Sequence, residues 1–114
     1  MVLDEIIEKY GMHELDIDFC CEADGETVVY AYCHKHDEKD NKMINYFLKI
    51  KGCFEVIEKE CDGEFSIHLA TIEKRDNGVY LISGAGDSAL FCVKGDLTVT
   101  EFSKEEYEKN IRNA

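Results

Sequence analysis

The sequence predicts a single domain of the α+β class, mainly β, spanning residues 1–114. Three observations lead to this prediction. Near the two ends of the chain, apolar residues recur every three to four positions, which is typical of amphipathic helices. Between the ends, apolar and polar residues alternate in short runs, and turn signals containing Gly separate these runs at regular spacing. We therefore expect about eight antiparallel strands in a curled meander, barrel-like or two-layered, between an N-terminal and a C-terminal helix.

The first predicted helix covers residues 2–10. Leu3, Ile6 and Tyr10 share one helical face, because they are separated by three and four positions. Gly11 follows, and a glycine in the left-handed conformation commonly ends a helix. The apolar face of this helix is expected to cover the sheet.

A hairpin follows, with strands on either side of the turn Asp24-Gly25, a pair that favours a two-residue connection. Closing the hairpin at this turn pairs Phe19 with Tyr30 and Ile17 with Tyr32. One face of the hairpin is expected to carry Leu15, Ile17, Phe19, Cys21, Val28, Tyr30 and Tyr32. The other is expected to carry Asp16, Asp18 and Glu22 beside Val29, Ala31 and Cys33.

The rest of the chain predicts six further strands and a helix. A polar loop at 34–42 precedes strands at 43–51, 53–60, 64–72, 79–83, 88–93 and 97–102. The expected separators are Gly52, Asp62-Gly63, Asp76-Asn77-Gly78, Gly84-Ala85-Gly86-Asp87 and Lys94-Gly95-Asp96. The last helix covers residues 104–113, because Ser103 and Glu106 have the spacing of a capping box.

Acidic residues are concentrated in the first quarter of the chain. Residues 1–26 contain nine acidic residues and one lysine, which gives them a formal charge of −8 out of −12 for the whole chain. Such a field repels nucleic acid and anionic membranes and attracts a basic protein surface. The expected partner is therefore a basic protein, and neither nucleic acid nor a membrane is expected to bind directly.

No catalytic or cofactor motif stands out, so we expect neither an enzyme nor a bound cofactor. The segment Gly84-Ala85-Gly86-Asp87-Ser88 is rich in glycine, but a strand and not a helix follows it, and it lacks the Lys-Ser or Lys-Thr of a phosphate loop. His34 and His36 would project to the same side of a strand end, which makes them weak candidates for metal ligands. No second pair of ligands completes a tetrahedral site, so no metal is expected.

The six cysteines are expected to be reduced thiols in a cytoplasmic protein. The N-terminus is acidic and lacks the basic and apolar regions of a signal peptide, and no apolar run approaches the ~20 residues of a membrane-spanning helix. Eleven lysines against two arginines, without proline or tryptophan, are typical of an AT-rich bacterial or phage genome. The expected source is therefore bacterial.

The leading hypothesis is a non-enzymatic acidic binding protein, an inhibitor or immunity-type protein that blocks a basic partner such as a toxin nuclease. An acidic surface associates rapidly with a cationic active site, and aromatic side chains add affinity. The expected binding residues are Asp16, Asp18, Glu22, Asp24, Glu26, Tyr30 and Tyr32. The alternative is a small β-barrel that binds an apolar small molecule, or an enzyme built on such a barrel.

Overall fold

The computed structural model describes residues 1–12, 14–59, 66–85 and 88–113, without the side chains of Phe19 and Ala23. These residues form two helices and six strands: α1 (Leu3–Tyr10), β1 (Leu15–Ala23), β2 (Glu26–Asp37), β3 (Lys42–Lys59), β4 (Ile67–Lys74), β5 (Val79–Ser83), β6 (Ser88–Phe102) and α2 (Lys104–Arg112). All neighbouring strands are antiparallel, and they close into a barrel in the order β1-β2-β3-β6-β5-β4. The predicted fold class is confirmed, and the sheet is a barrel and not two layers.

The prediction of about eight strands was wrong because two expected separators lie inside long strands. Gly52 lies within β3 and Gly95 within β6, at a shift in the register between the two strands. A Cβ atom at Gly52 would lie 2.3 Å from Cδ2 of Leu97, and Gly95 has a φ of 82°. Glycine at these positions lets two strands bend around the barrel without ending, which alternation alone does not distinguish from a turn.

The first hairpin has the predicted turn and part of the predicted register. Asp24 and Gly25 both have positive φ, at 53° and 77°, as a two-residue hairpin turn requires. Phe19 pairs with Tyr30, as predicted. The hairpin therefore closes where the sequence indicates.

A β-bulge in β1 overturns the rest of the predicted register. Ile17 pairs with Ala31 and not with Tyr32, because Asp18 is an extra residue between the pairs formed by Ile17 and Phe19. An extra residue in one strand reverses the alternation beyond it. The prediction that Asp16, Asp18 and Glu22 share a face was wrong for this reason. Leu15 and Ile17 face the interior before the bulge, whereas Cys20 and Glu22 line it afterwards.

Helix α1 covers one end of the barrel. Its buried residues Leu3, Ile6 and Tyr10 are the face that the spacing predicts, and Gly11 caps the helix with a φ of 63°. The preceding residue Met1 exchanges backbone hydrogen bonds with Leu97 of β6, at 2.8 Å in each direction. Thus α1 is held at the barrel end by both apolar packing and the sheet.

Helix α2 packs on the outside of the barrel. Its buried Tyr107 lies against Tyr30 and Phe47, with ring centroids 6.2 and 5.3 Å away. The predicted capping box is confirmed, since the backbone N–H of Glu106 donates to Oγ of Ser103 at 3.3 Å. One predicted strand end is also wrong, because β2 continues to Asp37, whereas a loop is expected from residue 34.

Of three further predicted turns, one is confirmed, and the other two lie wholly or partly outside the described residues. Asp76–Gly78 forms a short 3-10 turn between β4 and β5, which confirms the turn expected there. The Asp62-Gly63 turn and the end of the Gly84–Asp87 turn lie outside the described residues.

Candidate ligand cavity

A cavity of about 270 Å³ lies inside the barrel. Each of the six strands contributes apolar side chains to its wall, for example Leu15, Val29, Ile50, Ile72, Ile82 and Phe91. Leu3, the first residue of α1, and Met12, two residues after its end, also line it and are themselves buried. The cavity is therefore an apolar space that α1 closes at one end.

The cavity exists because several inward positions carry small side chains. Ala31, Ala89 and Cys20 are all buried and all line it. Protein interiors are normally packed as densely as organic crystals, so small residues on facing strands leave space that neighbouring side chains do not fill. The same barrel with leucine or phenylalanine at these positions would have a filled core.

The other end of the cavity is polar and open. Glu22, Lys59 and Thr27 line it, and the first two are exposed. Glu22 and Thr27 pair directly across β1 and β2, so their side chains lie on the same side of the sheet. A ligand that enters from this end would meet a carboxylate and a hydroxyl before the apolar wall.

Thr27 is the most unusual residue of this end, because it is a buried polar residue with 7% exposure. Within the described residues its hydroxyl has no hydrogen-bond partner. The described residues also contain no unpaired side-chain oxygen that is sealed from solvent. The hydroxyl of Thr27 therefore keeps access to the cavity that the residue lines.

The five predicted acidic residues do not form one surface. Asp16 and Asp18 lie on the outside of the barrel, where Asp16 Oδ1 accepts from the backbone N–H of Leu69 at 3.1 Å. Glu22 lines the cavity, and Glu26 lies 3.2 Å from Nζ of Lys51. Binding of a basic partner by these residues stays a prediction.

The acids of α1 are also separate from those of the first hairpin turn. Oδ2 of Asp4 lies 2.8 Å from Nζ of Lys74, at the end of β4, and its Oδ1 accepts from Tyr80 at 2.9 Å. Because β4 is antiparallel to β1, that end of the barrel is opposite the turn at Asp24. The hydrogen bonds from Lys74 and then from Tyr80 lower the pKa of Asp4. The acidic first quarter is thus divided between two ends of the barrel.

The two predicted aromatic anchors lie on the outer face of β2. Tyr30 is only 6% exposed because α2 covers it, so it does not present a free surface to a partner. Tyr32 is half-buried, donates to Oδ1 of Asn45 at 3.1 Å and lies 5.0 Å from the ring of Phe47. Tyr32 therefore remains the more accessible of the two.

The two candidate histidine ligands lie on the same side of β2, as predicted. Nε2 of His34 is 3.8 Å from Oε2 of Glu14, and Nε2 of His36 is 3.1 Å from Oδ1 of Asn41. Among the described residues, no group of three or more His, Cys, Asp or Glu side chains could hold a metal ion. Here the histidines contact ordinary polar neighbours.

Five cysteines fall in the described part of the chain, and none of them forms a disulfide: Cys20, Cys21, Cys33, Cys53 and Cys92. Burial, followed by the charge of Glu101, raises the pKa of the Cys33 thiol to about 12. Cys33 is therefore a protonated core side chain and not a reactive thiol. Cys61 lies outside the described residues.

Leu69 was missed by the sequence analysis. Its φ is 53°, in the left-handed region that a leucine rarely adopts, and its side chain is 67% exposed. It lies in a second irregularity, where the register between β1 and β4 shifts. Nothing in the sequence marks this position, since the usual residue there is glycine.

The cavity residues were also missed as a group. Thr27, Ala31 and Ala89 are ordinary strand residues in the sequence, and their inward direction is known only once the bulge at Asp18 and the barrel closure are known.

Neither helix in the described ranges is long and apolar enough to span a membrane. Comparison with known proteins gives no relative, because no family model, no curated protein and no solved structure matches the chain.

Proposed function

We propose that this protein is a binding protein that takes a compact apolar molecule into the barrel. The observation that supports this proposal most strongly is the apolar cavity of about 270 Å³ that α1 closes at one end. At roughly 30 Å³ for each water-sized group, the cavity has room for about nine non-hydrogen atoms. A medium-length alkyl chain or a small substituted ring has this size.

The physical basis of binding is removal of apolar surface from water. Burial of one methylene group contributes about 0.8 kcal/mol, which is close to a fourfold change in the dissociation constant. Apolar cavities of about 150 Å³ stay dry and bind benzene in other proteins, so a larger one is sufficient. The proposed ligand therefore needs no covalent or metal chemistry to be retained.

A series of straight-chain alcohols from butanol to decanol tests the proposal. We expect the dissociation constant to fall about fourfold with each methylene until the chain fills the cavity, and then to level off. The binding is measured by NMR titration of isotopically labelled protein, with the largest shifts expected at the residues of the cavity wall. A dissociation constant that does not depend on chain length, or shifts confined to the outer surface, would contradict the proposal.

Replacement of two different alanines by leucine provides a test and its matched control. Ala31→Leu adds volume at a cavity-lining position, so it is expected to abolish alcohol binding without loss of folding. Ala70→Leu adds the same volume at a fully buried position that does not line the cavity. Overpacking there is expected to lower the free energy of unfolding by about 1–3 kcal/mol. Equal destabilisation by the two substitutions would mean that Ala31 has no free space beside it.

A second candidate function is binding of a basic protein, such as a toxin nuclease, by the acidic outer surface. The observation that favours it is the exposed Leu69, an apolar side chain on a left-handed backbone beside the carboxylate of Asp16. Unusual backbone at an exposed position suggests a functional role, and charge around an apolar anchor speeds association. Leu69→Ser should then weaken a complex purified from the host at low salt, and 0.5 M salt should weaken it further. Binding that neither change affects would argue against this candidate.

A further inference from the structure

We infer that the molecule bound in the barrel is an amphiphile with a cationic, hydrogen-bond-donating head, such as a primary alkylammonium, which Glu22 and Thr27 hold at the cavity mouth. The inference rests on the proposed function, because it assigns a head group to the apolar ligand proposed above. It concerns the polar end of the cavity, whereas the proposed function depends on the apolar wall.

The carboxylate of Glu22 is available to a ligand. The bulge at Asp18 turns Glu22 toward the cavity, although its neighbours in the acidic row point outward. Among the described residues Glu22 has no hydrogen bond and no ion pair, in contrast to Glu26 with Lys51 on the same hairpin. A carboxylate with four acceptor sites and no internal partner is suited to a cation.

Thr27 gives an independent reason to expect a polar head at this depth. Its side chain is more than nine-tenths buried, lines the cavity and has no hydrogen-bond partner in the described ranges. Because this hydroxyl reaches the cavity and has no partner there in the described part of the protein, its oxygen can accept a hydrogen bond from a ligand. Because Thr27 pairs with Glu22 across the two strands, one head group can reach both oxygens.

The charge of the head follows from these two acceptors. An ammonium group has three N–H donors and no acceptor, so it can donate to the carboxylate and to the hydroxyl together. A carboxylate head would meet the like charge of Glu22. Lys59 also lines this end, but it already has an interaction within the protein, which makes it less available to an anionic ligand.

Three probes of equal chain length separate the head group from the chain. Octylammonium, octanol and octanoate are titrated into the full chain at pH 7 and low salt, with binding followed by calorimetry. We expect octylammonium to bind at least tenfold more tightly than octanol, and octanoate to bind most weakly. Salt is expected to reduce the difference between octylammonium and octanol, because the mouth is exposed to solvent.

Variants of the first hairpin identify the residue that binds the ammonium head. Glu22→Gln should remove the advantage of octylammonium and leave the affinity for octanol unchanged. Glu26→Gln is the matched control, because it removes the same charge from the same hairpin at a position that does not line the cavity. Thr27→Val keeps the shape of the side chain and should weaken octylammonium binding several-fold more than octanol binding.

The outcomes distinguish failure of this inference from failure of the proposed function. If octanol binds but octylammonium gains nothing, or if octanoate binds most tightly, the head group is assigned wrongly while the apolar cavity remains a ligand site. If Glu22→Gln and Glu26→Gln reduce the affinity for octylammonium equally, the attraction comes from the summed acidic charge of the hairpin, and the role of Glu22 is overturned. If none of the three probes binds, the proposed function itself fails.

Discussion

The hydroxyl of Tyr107 donates a 2.6 Å hydrogen bond to Oδ2 of Asp18, the extra residue of the β1 bulge. Burial, followed by this hydrogen bond, raises the pKa of Tyr107, so the hydroxyl remains a donor at every physiological pH. The contact joins α2 at the end of the chain to the feature that turns Glu22 into the barrel. The outer helix is therefore held to the bulge of β1 by a hydrogen bond to one carboxylate.

Removing this hydroxyl should cost measurable stability. Tyr107→Phe leaves the carboxylate of Asp18 without its donor, and we expect the free energy of unfolding to fall by about 1–2 kcal/mol, because Asp18 is half-buried and water replaces only part of the bond. Urea unfolding measures the change. Tyr32→Phe removes an exposed hydrogen bond to Asn45 and should cost less than about 0.5 kcal/mol. If Tyr107→Phe lowers the free energy of unfolding no more than Tyr32→Phe does, the hydrogen bond to Asp18 does not stabilise the protein.

At position 69, a glycine variant should be more stable than an alanine variant, which is the reverse of the usual order in a strand. At an ordinary strand position glycine is less stable than alanine, but at a φ of 53° the Cβ atom is strained. We expect Leu69→Gly to be more stable than Leu69→Ala by about 1 kcal/mol. Thermal unfolding of the two variants tests this, and a more stable alanine variant would show that the left-handed backbone is not adopted in solution.

Gly84 should tolerate no side chain. A Cβ atom there would lie 2.3 Å from Cγ2 of Ile67 and 2.7 Å from the backbone oxygen of His68, and a backbone oxygen in a sheet does not move freely. We expect Gly84→Ala to lower the free energy of unfolding by more than about 3 kcal/mol. Gly25→Ala is the control, because its Cβ atom would meet no atom within 4 Å and only its positive φ is unfavourable, at about 1 kcal/mol.

Cys33 should make the protein less stable in alkali. Burial raises its pKa from 9.0 to about 12, so the native state favours the thiol. This contribution is complete below pH 9 and is lost as the pH rises from 9 to 12, because the unfolded chain releases its proton first. The stability advantage of the wild type over Cys33→Ala should therefore shrink by about 1.4 kcal/mol per pH unit in that range.

Urea unfolding at pH 8, 9, 10 and 11 with a reducing agent measures this difference. The charge of Cys33 also raises the pKa of Tyr10 and of Tyr107, so the difference between the wild type and the variant contains the thiol together with its coupling to these two tyrosines. The exposed Cys53, substituted as Cys53→Ala, provides the control for removal of a thiol outside the core. A difference between the wild type and Cys33→Ala that stays constant with pH would contradict the buried, protonated state of Cys33.

The local elements were predictable because their causes are local. The apolar face of α1, the capping box at Ser103 and Glu106, and the turn at Asp24-Gly25 each depend on residues a few positions apart. Such short-range preferences act before any tertiary contact forms, so spacing is enough to find them.

The candidate site was not predictable in the same way. Strict alternation places Glu22 on the same face as Asp16 and Asp18, but the bulge at Asp18 moves Glu22 to the opposite face. The space beside Ala31 depends on which side chains face it from the other strands. Neither the bulge nor the free space can be predicted from residues that are close in the sequence.

By itself, the sequence determined that this is a mainly antiparallel domain with a helix at each end, because alternation, turn residues and caps are properties of short segments. Only the tertiary structure decided that Gly52 and Gly95 bend strands that continue, that six strands close on one another, and that the acidic residues separate. The physical reason is that closure and bulges depend on contacts between residues far apart in the chain, and the direction of every side chain in the barrel depends on them.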